Sequence, residues 1–264
     1  MQFQPSFFFE SKPYPSLEDR DSASFPQIGV QTKMVKFSVV IPTYNEAKYI
    51  NKALCALKNQ TFKDFEVIIK DGQSRDETVK IAKEFTKKVV SIRDFSAGDA
   101  RNQGAHYAEG EVLVFMDADT LLPPETLARF CKLMGDEGVV GASCRKIPQS
   151  GSILDRLLYE FVNISTFVSA VMGLGGAHGN CMLIRRPLFE QIGGFNPNII
   201  VAEEQELVRR ASKFGRYVFL LDHFVVENPR RLQKWGRLRL YRAWFTGMFK
   251  SFKAGKKQVY EKVR

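Results

Sequence analysis

Short apolar runs alternate with amphipathic segments through the first half of this chain, and this alternation restricts the fold more than any other feature. The run 37–41 is apolar and largely β-branched, as expected of a buried strand. The pattern predicts strands at 37–41, 65–70, 89–92, 111–116 and 139–144, and helices at 46–60, 76–87, 99–108 and 123–134. Strands that alternate with helices indicate βαβ units and a mostly parallel sheet with helices on both faces.

After residue 150 the pattern changes to longer helices around a glycine-rich stretch at 173–179, where main chain can approach a ligand closely. We predict helices at 152–172, 187–192 and 203–214, and strands at 180–184 and 217–221. Residues 34–228 are therefore assigned to one α/β domain, with halves at 34–145 and 146–228.

The two ends differ in composition from this domain. Residues 1–33 mix prolines, serines and charges without periodicity, which predicts a flexible extension. Residues 229–264 carry 12 basic residues against Glu261 alone. Within 232–257, apolar side chains recur at helical spacing at Leu238, Tyr241, Phe245, Met248 and Phe252. A basic amphipathic helix of this kind is typical of membrane interfaces, although the stripe can equally pack on the main domain.

Several protein classes are disfavoured. The four cysteines form no CxxC pair, which argues against a zinc site or a disulfide framework. We find no signal peptide and no apolar run long enough to span a bilayer. The predicted location is cytoplasmic, with peripheral attachment to the inner face of the cell membrane as an extension of that prediction.

The central chemical signal is Asp117-Ala118-Asp119, directly after the strand 111–116. Parallel sheets bind ligands beyond the carboxyl ends of their strands. Two carboxylates there suit Mg²⁺ or Mn²⁺ together with a phosphate partner. The alternative is that the aspartates only form a turn or cap the next helix.

Four motifs together resemble the family 2 glycosyltransferases, which have the GT-A fold. They are Pro42-Thr-Tyr-Asn-Glu46, Asp71-Gly-Gln-Ser-Arg-Asp-Glu-Thr78, Ala100-Arg-Asn-Gln-Gly104 and Asp117-Ala-Asp119. The resemblance continues through Ile192-Gly-Gly-Phe195 and Glu203-Glu-Gln-Glu-Leu207 and covers about residues 37–222. It implies an α/β, GT-A-like, Rossmann-type nucleotide-binding sheet, followed by the basic C-terminal helix.

The resemblance also implies which residues bind the nucleotide sugar. They are Pro42, Thr43, Tyr44, Glu46, Asp71, Arg101, Asp117 and Ala118. Glu46 resembles the residue near the ribose or base, Asp71 the carboxylate that accepts a base N–H, and Arg101 the basic group near base and phosphates. The alternative for Arg101 is a surface salt bridge with Asp99 or Glu109.

The implied metal and catalytic residues complete the site. By resemblance, Asp119 binds the metal directly and Asp117 contacts ribose and metal-bound water. His223, at a predicted strand end, is a further candidate ligand, with a structural role as its alternative. Glu204 resembles the catalytic base, with Glu203 as second candidate. This chain departs from the family by having glutamate where aspartate is commoner, and three acids can also simply favour a helix N-terminus.

The expected function is a metal-dependent inverting hexosyl transfer from a UDP- or GDP-linked sugar to a saccharide or lipid-linked acceptor, as in cell-envelope polysaccharide synthesis. An anionic membrane surface is a further expected partner, and the arginines at 230 and 231 are candidates to grip the donor pyrophosphate. A nucleotidyltransferase is the first alternative, but it would show a glycine-rich phosphate loop after the first strand. A nucleic-acid-binding protein is the second, disfavoured because the tail aromatics have helical spacing.

Overall fold

The computed structural model of the chain describes residues 36–230 and Gly236. The predicted extension 1–33 lies outside the described residues, and so does the predicted helix 232–257 apart from Gly236. The strands are β1 (Phe37–Thr43), β2 (Phe65–Asp71), β3 (Val89–Ser91), β4 (Val112–Met116), β5 (Thr120–Leu121), β6 (Val139–Pro148), β7 (Cys181–Arg185) and β8 (Arg216–Glu227). The helices are α1 (Ile50–Lys58), α2 (Thr78–Phe85), α3 (Ala97–Ala105), α4 (Thr126–Met134), α5 (Ile153–Val171), α6 (Arg186–Gln191) and α7 (Glu203–Ala211).

All eight strands form one sheet in the order β3-β2-β1-β4-β7-β6-β8-β5. The first four pair in parallel, as the alternating pattern predicts. β7 then runs antiparallel to both β4 and β6, β8 is parallel to β6, and β5 is antiparallel to β8. The sheet is therefore parallel across β3, β2, β1 and β4 and mixed from β7 to β5.

Two strands are longer than predicted because charged residues interrupt their apolar runs. β6 continues past Cys144 to Pro148, and β8 continues past Leu221 to Glu227. The ladder between them jumps from Cys144↔Leu220 to Arg145↔Phe224, so β8 bulges between these pairs. β5, which has only two residues, has no sequence pattern that predicts it.

Helices cover both faces of the sheet, which confirms the predicted fold class. On one face, Val39 and Ile41 of β1 pack in a core with apolar residues of α1, α2 and α4. Val40, between them, points to the opposite face and packs in a core with α3, α6 and α7. This alternation follows from the two-residue period of a strand. The parallel pairing of β1, β2 and β4 brings Thr43, Asp71 and Asp117, at or just beyond the ends of these strands, to one edge of the sheet.

Candidate active site

The segment Asp117–Asp119 is held by main-chain hydrogen bonds from two directions. The N–H of Asp117 donates to the carbonyl of Asn180 at 3.2 Å, and the carbonyl of Asp119 accepts from Asn228 N–H at 3.2 Å. Ala118 is buried in the hydrophobic core, so only its main chain can face a ligand. The residue before β7 and the residue after β8 therefore hold the main chain of both aspartates at the edge of the sheet.

The Asp119 carboxylate is 8% exposed and contacts a guanidinium. Arg230 Nε lies 2.7 Å from Asp119 Oδ2, and Arg230 Nη1 donates to Glu46 Oε2 at 2.5 Å. The same guanidinium lies over the Tyr49 ring, 5.2 Å from its centroid. Burial raises the pKa of Asp119 to about 7, against the lowering effect of Arg230, and Asp117 adds to the rise. A positive charge beside Asp119 therefore favours its ionised form.

These residues fit a divalent cation held partly by substrate. Within residues 36–230 and 236, no three His, Cys, Asp or Glu side chains form a cluster that could hold a metal. Mg²⁺ sites in nucleotide enzymes usually contain only one or two carboxylates, with phosphates and water supplying the rest. Asp117 and Asp119 match that donor set, and the guanidinium against Asp119 shows that this carboxylate accepts a cationic partner.

The imidazole of His223 contacts residues of α4. Its Nε2 is 2.9 Å from the hydroxyl of Thr126 in α4, and its ring packs edge-on against Phe130. Burial lowers the pKa of His223, so the ring is neutral at pH 7. These contacts account for the burial of the imidazole without a metal ion.

Asp71 is fully buried at the end of β2 and accepts four hydrogen bonds. Its Oδ1 accepts from the hydroxyls of Thr43 at 3.1 Å and Ser74 at 2.5 Å. Its Oδ2 accepts from Ser74 N–H and the Ser91 hydroxyl, both at 2.9 Å. A carboxylate offers about four lone-pair positions. A base N–H can therefore reach Asp71 only where one of these hydroxyl groups turns away.

The loops after β1 and β2 are tied together by side chains. Asn45 donates its N–H to the Ser74 hydroxyl at 2.8 Å and accepts from Arg75 N–H at 2.9 Å. Asn45 has φ 55° and Gln73, in the facing loop, has φ 65°. Left-handed conformations of non-glycine residues are concentrated at functional sites. Pro42, near the end of β1, and Tyr44, just after it, are half-buried, and their contact with a nucleoside stays a prediction.

Arg101 joins two distant parts of the chain. Arg101 is 3% exposed. Its Nη2 donates to Asp117 Oδ1 at 3.1 Å and to the Gly179 carbonyl at 2.9 Å. Its Nη1 donates to Glu203 Oε1 at 2.7 Å. The surface salt bridge considered for Arg101 is wrong, because the side chain is buried behind the sheet edge. Arg101 places the first residue of α7 beside the predicted metal-binding loop.

The three acids of α7 have different partners. Glu203 pairs with Arg101, and Glu206 pairs with Arg210 at 2.7 Å. Glu204 forms no ion pair within the described part of the chain. Burial and the neighbouring Glu203 carboxylate raise the pKa of Glu204 to about 8, although Arg101 acts in the opposite direction. Of the three, Glu204 is the carboxylate best suited to accept a proton.

Backbone strain and a glycine-rich support fix the start of α7. Ala202, directly before Glu203, has φ 61°, a left-handed conformation that costs about 1–2 kcal/mol in a non-glycine residue. Gly175 has φ +98°, and a Cβ there would lie 2.3 Å from the Gln205 carbonyl oxygen. The Gln205 amide donates to the Ala177 carbonyl at 2.7 Å. The stretch 173–179 thus packs against α7, and no local sequence pattern predicts this contact.

Comparisons with known proteins identify the family of this chain. The family described as "Glycosyl transferase family 2" matches residues 38–193. A PGL/p-HBAD biosynthesis glycosyltransferase of Mycobacterium tuberculosis is 38% identical over 198 residues, which cover 68% of this chain and 77% of that protein. Poly(ribitol-phosphate) beta-N-acetylglucosaminyltransferase TarS of Staphylococcus aureus is 33% identical over 132 residues, 44% of this chain. The chain spans only 23% of TarS, and 65% of glycosyltransferase AglE of Haloferax volcanii.

Solved structures show the same architecture. The mannosyltransferase PcManGT from Pyrobaculum calidifontis, in complex with GDP-Man and Mn²⁺, superposes with a TM-score of 0.69 at 25% identity, covering 94% of this chain and 70% of that one. Residues 1–349 of TarS with UDP-GlcNAc give a TM-score of 0.58 at 23% identity, over 73% of this chain and 58% of that one. Fold, motifs and family match coincide, and the chain belongs to glycosyl transferase family 2.

Proposed function

We propose that the chain transfers a sugar from a nucleoside-diphosphate sugar to an acceptor hydroxyl group in one in-line displacement, with inversion at the anomeric carbon. One observation carries the proposal: Arg101 contacts Asp117 and Glu203 at once, so the aspartates and the acid pair of α7 belong to one site. Family membership and the GDP-Man and Mn²⁺ complex of PcManGT support it.

The proposed division of labour follows from the contacts. Glu204 accepts the proton of the acceptor hydroxyl, because Arg101 already holds Glu203. Asp119, with Asp117, would hold Mg²⁺ or Mn²⁺, which when bound supplies positive charge against the departing diphosphate. Asp71, Glu46 and the loops after β1 and β2 bind the nucleoside of a UDP- or GDP-linked sugar.

Product analysis tests the reaction class. The chain is incubated with Mn²⁺, candidate acceptors and a panel of UDP- and GDP-linked sugars. A glycosyltransferase releases the nucleoside diphosphate. In a parallel assay with added pyrophosphate, a nucleotidyltransferase would convert the nucleotide sugar into a nucleoside triphosphate and a sugar 1-phosphate, and those products would contradict the proposal.

Arg230 provides a prediction about the metal. Its guanidinium contacts the same Asp119 carboxylate that we propose for the cation, so the two positive groups compete before any diphosphate is present. We expect Arg230→Gln to lower the Kd for Mn²⁺ several-fold in the absence of nucleotide, as measured by calorimetry. Arg216→Gln, which removes an exposed pair with Asp136, is the matched control and should leave the Kd unchanged. Weaker Mn²⁺ binding by Arg230→Gln would show that Arg230 assists the cation instead.

We propose further that the acceptor is lipid-linked and that the protein acts at an anionic membrane surface. The polarity of α5 supports this, because its residues buried against the domain are polar: Asp155, Tyr159, Asn163 and Thr166. Apart from Arg156, its exposed residues are large and apolar: Ile153, Leu154, Leu157, Phe161, Ile164, Val168 and Val171. Among the described residues, no helix is long and apolar enough to span a bilayer. A helix of this kind instead suits shallow insertion along the interface.

Charge favours an anionic lipid surface as the partner of this face. Gln149 N–H donates to the Glu227 carbonyl at 2.9 Å, so the end of β8 lies within a few residues of the start of α5. The segment that follows β8, residues 229–264, carries 12 basic residues and one acidic residue. Each basic residue near an anionic leaflet contributes about 1 kcal/mol.

Flotation on liposomes tests the membrane proposal. We expect Leu157→Ser with Phe161→Ser to reduce co-flotation with vesicles of phosphatidylcholine and phosphatidylglycerol by about tenfold, because two side chains that are 62% and 58% exposed no longer enter the acyl boundary. Phe95→Ser removes an 80% exposed phenyl group outside α5 and should float like wild type. Equal flotation of all three proteins would remove α5 from the interface.

A further inference from the structure

Asn180 has a buried amide without a partner. The residue is 5% exposed, and within residues 36–230 neither its Oδ1 nor its Nδ2 forms a hydrogen bond. Buried side-chain amides are nearly always hydrogen-bonded, since leaving them unsatisfied is unfavourable. The hydrogen bonds of this amide must therefore come from a group other than the described residues, such as a ligand or water.

Its position lies within the candidate site. Met116 and Cys181 pair across β4 and β7 and both point into the core that holds α1 and α4. Asp117 directly follows β4 and Asn180 directly precedes β7, and Asp117 N–H donates to the Asn180 carbonyl at 3.2 Å. Asn180 lies in the turn from His178 to Cys181, and the carbonyl of its neighbour Gly179 accepts from the Arg101 guanidinium. Asn180 is therefore adjacent in the structure to both Asp117 and Arg101.

A second unpaired atom lies in the same neighbourhood. Arg101 donates from Nη2 to the carbonyl of Gly179, the residue before Asn180, while its Nε has no acceptor. Two donor atoms, Arg101 Nε and Asn180 Nδ2, and one acceptor, Asn180 Oδ1, are thus buried near Asp117 without a partner among the described residues. A phosphate cannot match this set, because it has no hydrogen for Asn180 Oδ1 at neutral pH. A sugar hydroxyl both donates and accepts, and so can satisfy both atoms of one amide.

We propose that Asn180 binds a hydroxyl group of the sugar carried by the donor, and so helps to determine which sugar is transferred. This inference rests on the proposed function, which places the nucleoside at Asp71 and the diphosphate at Asp119. The sugar then lies between them and α7, next to Asp117 and Asn180. Asn180 is a specificity residue in this scheme and takes no part in proton transfer.

Binding measurements on Asn180→Leu test the proposal. Leucine keeps the shape of the side chain and removes both polar atoms. In the presence of Mn²⁺, calorimetry compares UDP with UDP-glucose and UDP-GlcNAc, and GDP with GDP-mannose. We expect the Kd for the nucleoside diphosphate to stay within about twofold of wild type. The Kd for the preferred nucleotide sugar should rise roughly tenfold, as expected from two lost hydrogen bonds.

Thermal stability separates this role from a structural one. Asn163 is a matched control, since its buried amide accepts from Lys146 N–H at 3.1 Å, donates to the Lys146 carbonyl at 3.0 Å and lies 3.0 Å from His178 Nε2. Asn163→Leu should lower the melting temperature by about 5 °C or more. Asn180→Leu should melt at or above the wild-type temperature, because it removes unsatisfied polar atoms. Asn180→Ser provides a second, smaller variant for the same titrations.

Three outcomes would overturn the inference. Asn180→Leu could melt as low as Asn163→Leu and keep the wild-type preference for the nucleotide sugar over the nucleoside diphosphate, which would make Asn180 structural. It could keep wild-type stability and wild-type sugar affinity, which would mean that only water satisfies the amide. It could weaken nucleoside diphosphate and nucleotide sugar equally. Failure of the wild-type protein to bind any nucleotide sugar would overturn the proposed function as well.

Discussion

Glu204→Gln is expected to lower turnover by roughly 10²-fold or more, within the range for removal of a positioned general base. Glutamine has nearly the same shape as glutamate but cannot accept a proton. Burial and the neighbouring Glu203 raise the pKa of Glu204 to about 8, so its ionised form is a stronger base than an exposed glutamate and predominates only above that pH. Initial-rate measurements at saturating donor give the effect. The Kd for the nucleotide sugar should stay within about twofold, because the base contacts the acceptor.

Glu206→Gln is the matched control, because it changes another acid of the same helix. Glu206 pairs with Arg210, which also donates to the carbonyls of Ile192 and Gly194. Its replacement should lower the melting temperature and leave turnover of the folded protein within a few-fold. If Glu204→Gln turned over at a near-normal rate while Glu203→Gln did not, the proton acceptor would be Glu203.

Asp119→Asn is expected to reduce turnover by about 10²–10³-fold and to abolish the enhancement of donor binding by Mn²⁺. The asparagine amide keeps the shape but loses the charge that holds a cation. The local fold should survive, because the main chain of Asp119 still accepts from Asn228 N–H. Calorimetric titrations of the nucleotide sugar with and without Mn²⁺ measure the effect.

Asp222→Asn controls for a general loss of negative charge. Asp222 lies in the bulge of β8 and pairs with the exposed Arg129 at 3.1 Å. Its replacement should change neither turnover nor the response to Mn²⁺. A full response to Mn²⁺ in Asp119→Asn would assign the cation to other residues.

The sequence predicts the sheet and the position of the site well because both depend on local patterns. The β-branched run 37–41 and its equivalents mark the central strands, and Asp117 and Asp119 follow one of them directly. The ends of β6 and β8 are predicted too short, because Arg145 and Asp222 interrupt the apolar pattern. Their pairing depends on partner strands that are distant in sequence.

The contacts that assemble the site cannot be predicted from local patterns. Arg101 and Glu203 are 102 residues apart, and Arg230 and Glu46 are 184 residues apart, so only the folded sheet brings them together. Likewise, the unpaired amide of Asn180 is recognised only once all its neighbours are known. The contact of His223 with Thr126 is likewise visible only in the folded structure, and its predicted role as a metal ligand stays a prediction.

The most direct test is calorimetric titration of the wild-type protein with UDP- and GDP-linked sugars, with and without Mn²⁺. We predict that at least one nucleotide sugar binds at least tenfold more tightly with Mn²⁺ present, and that replacing both Asp117 and Asp119 by asparagine removes this gain. Affinities that are the same with and without the ion, or a gain that survives the double replacement, would contradict a cation held at the end of β4.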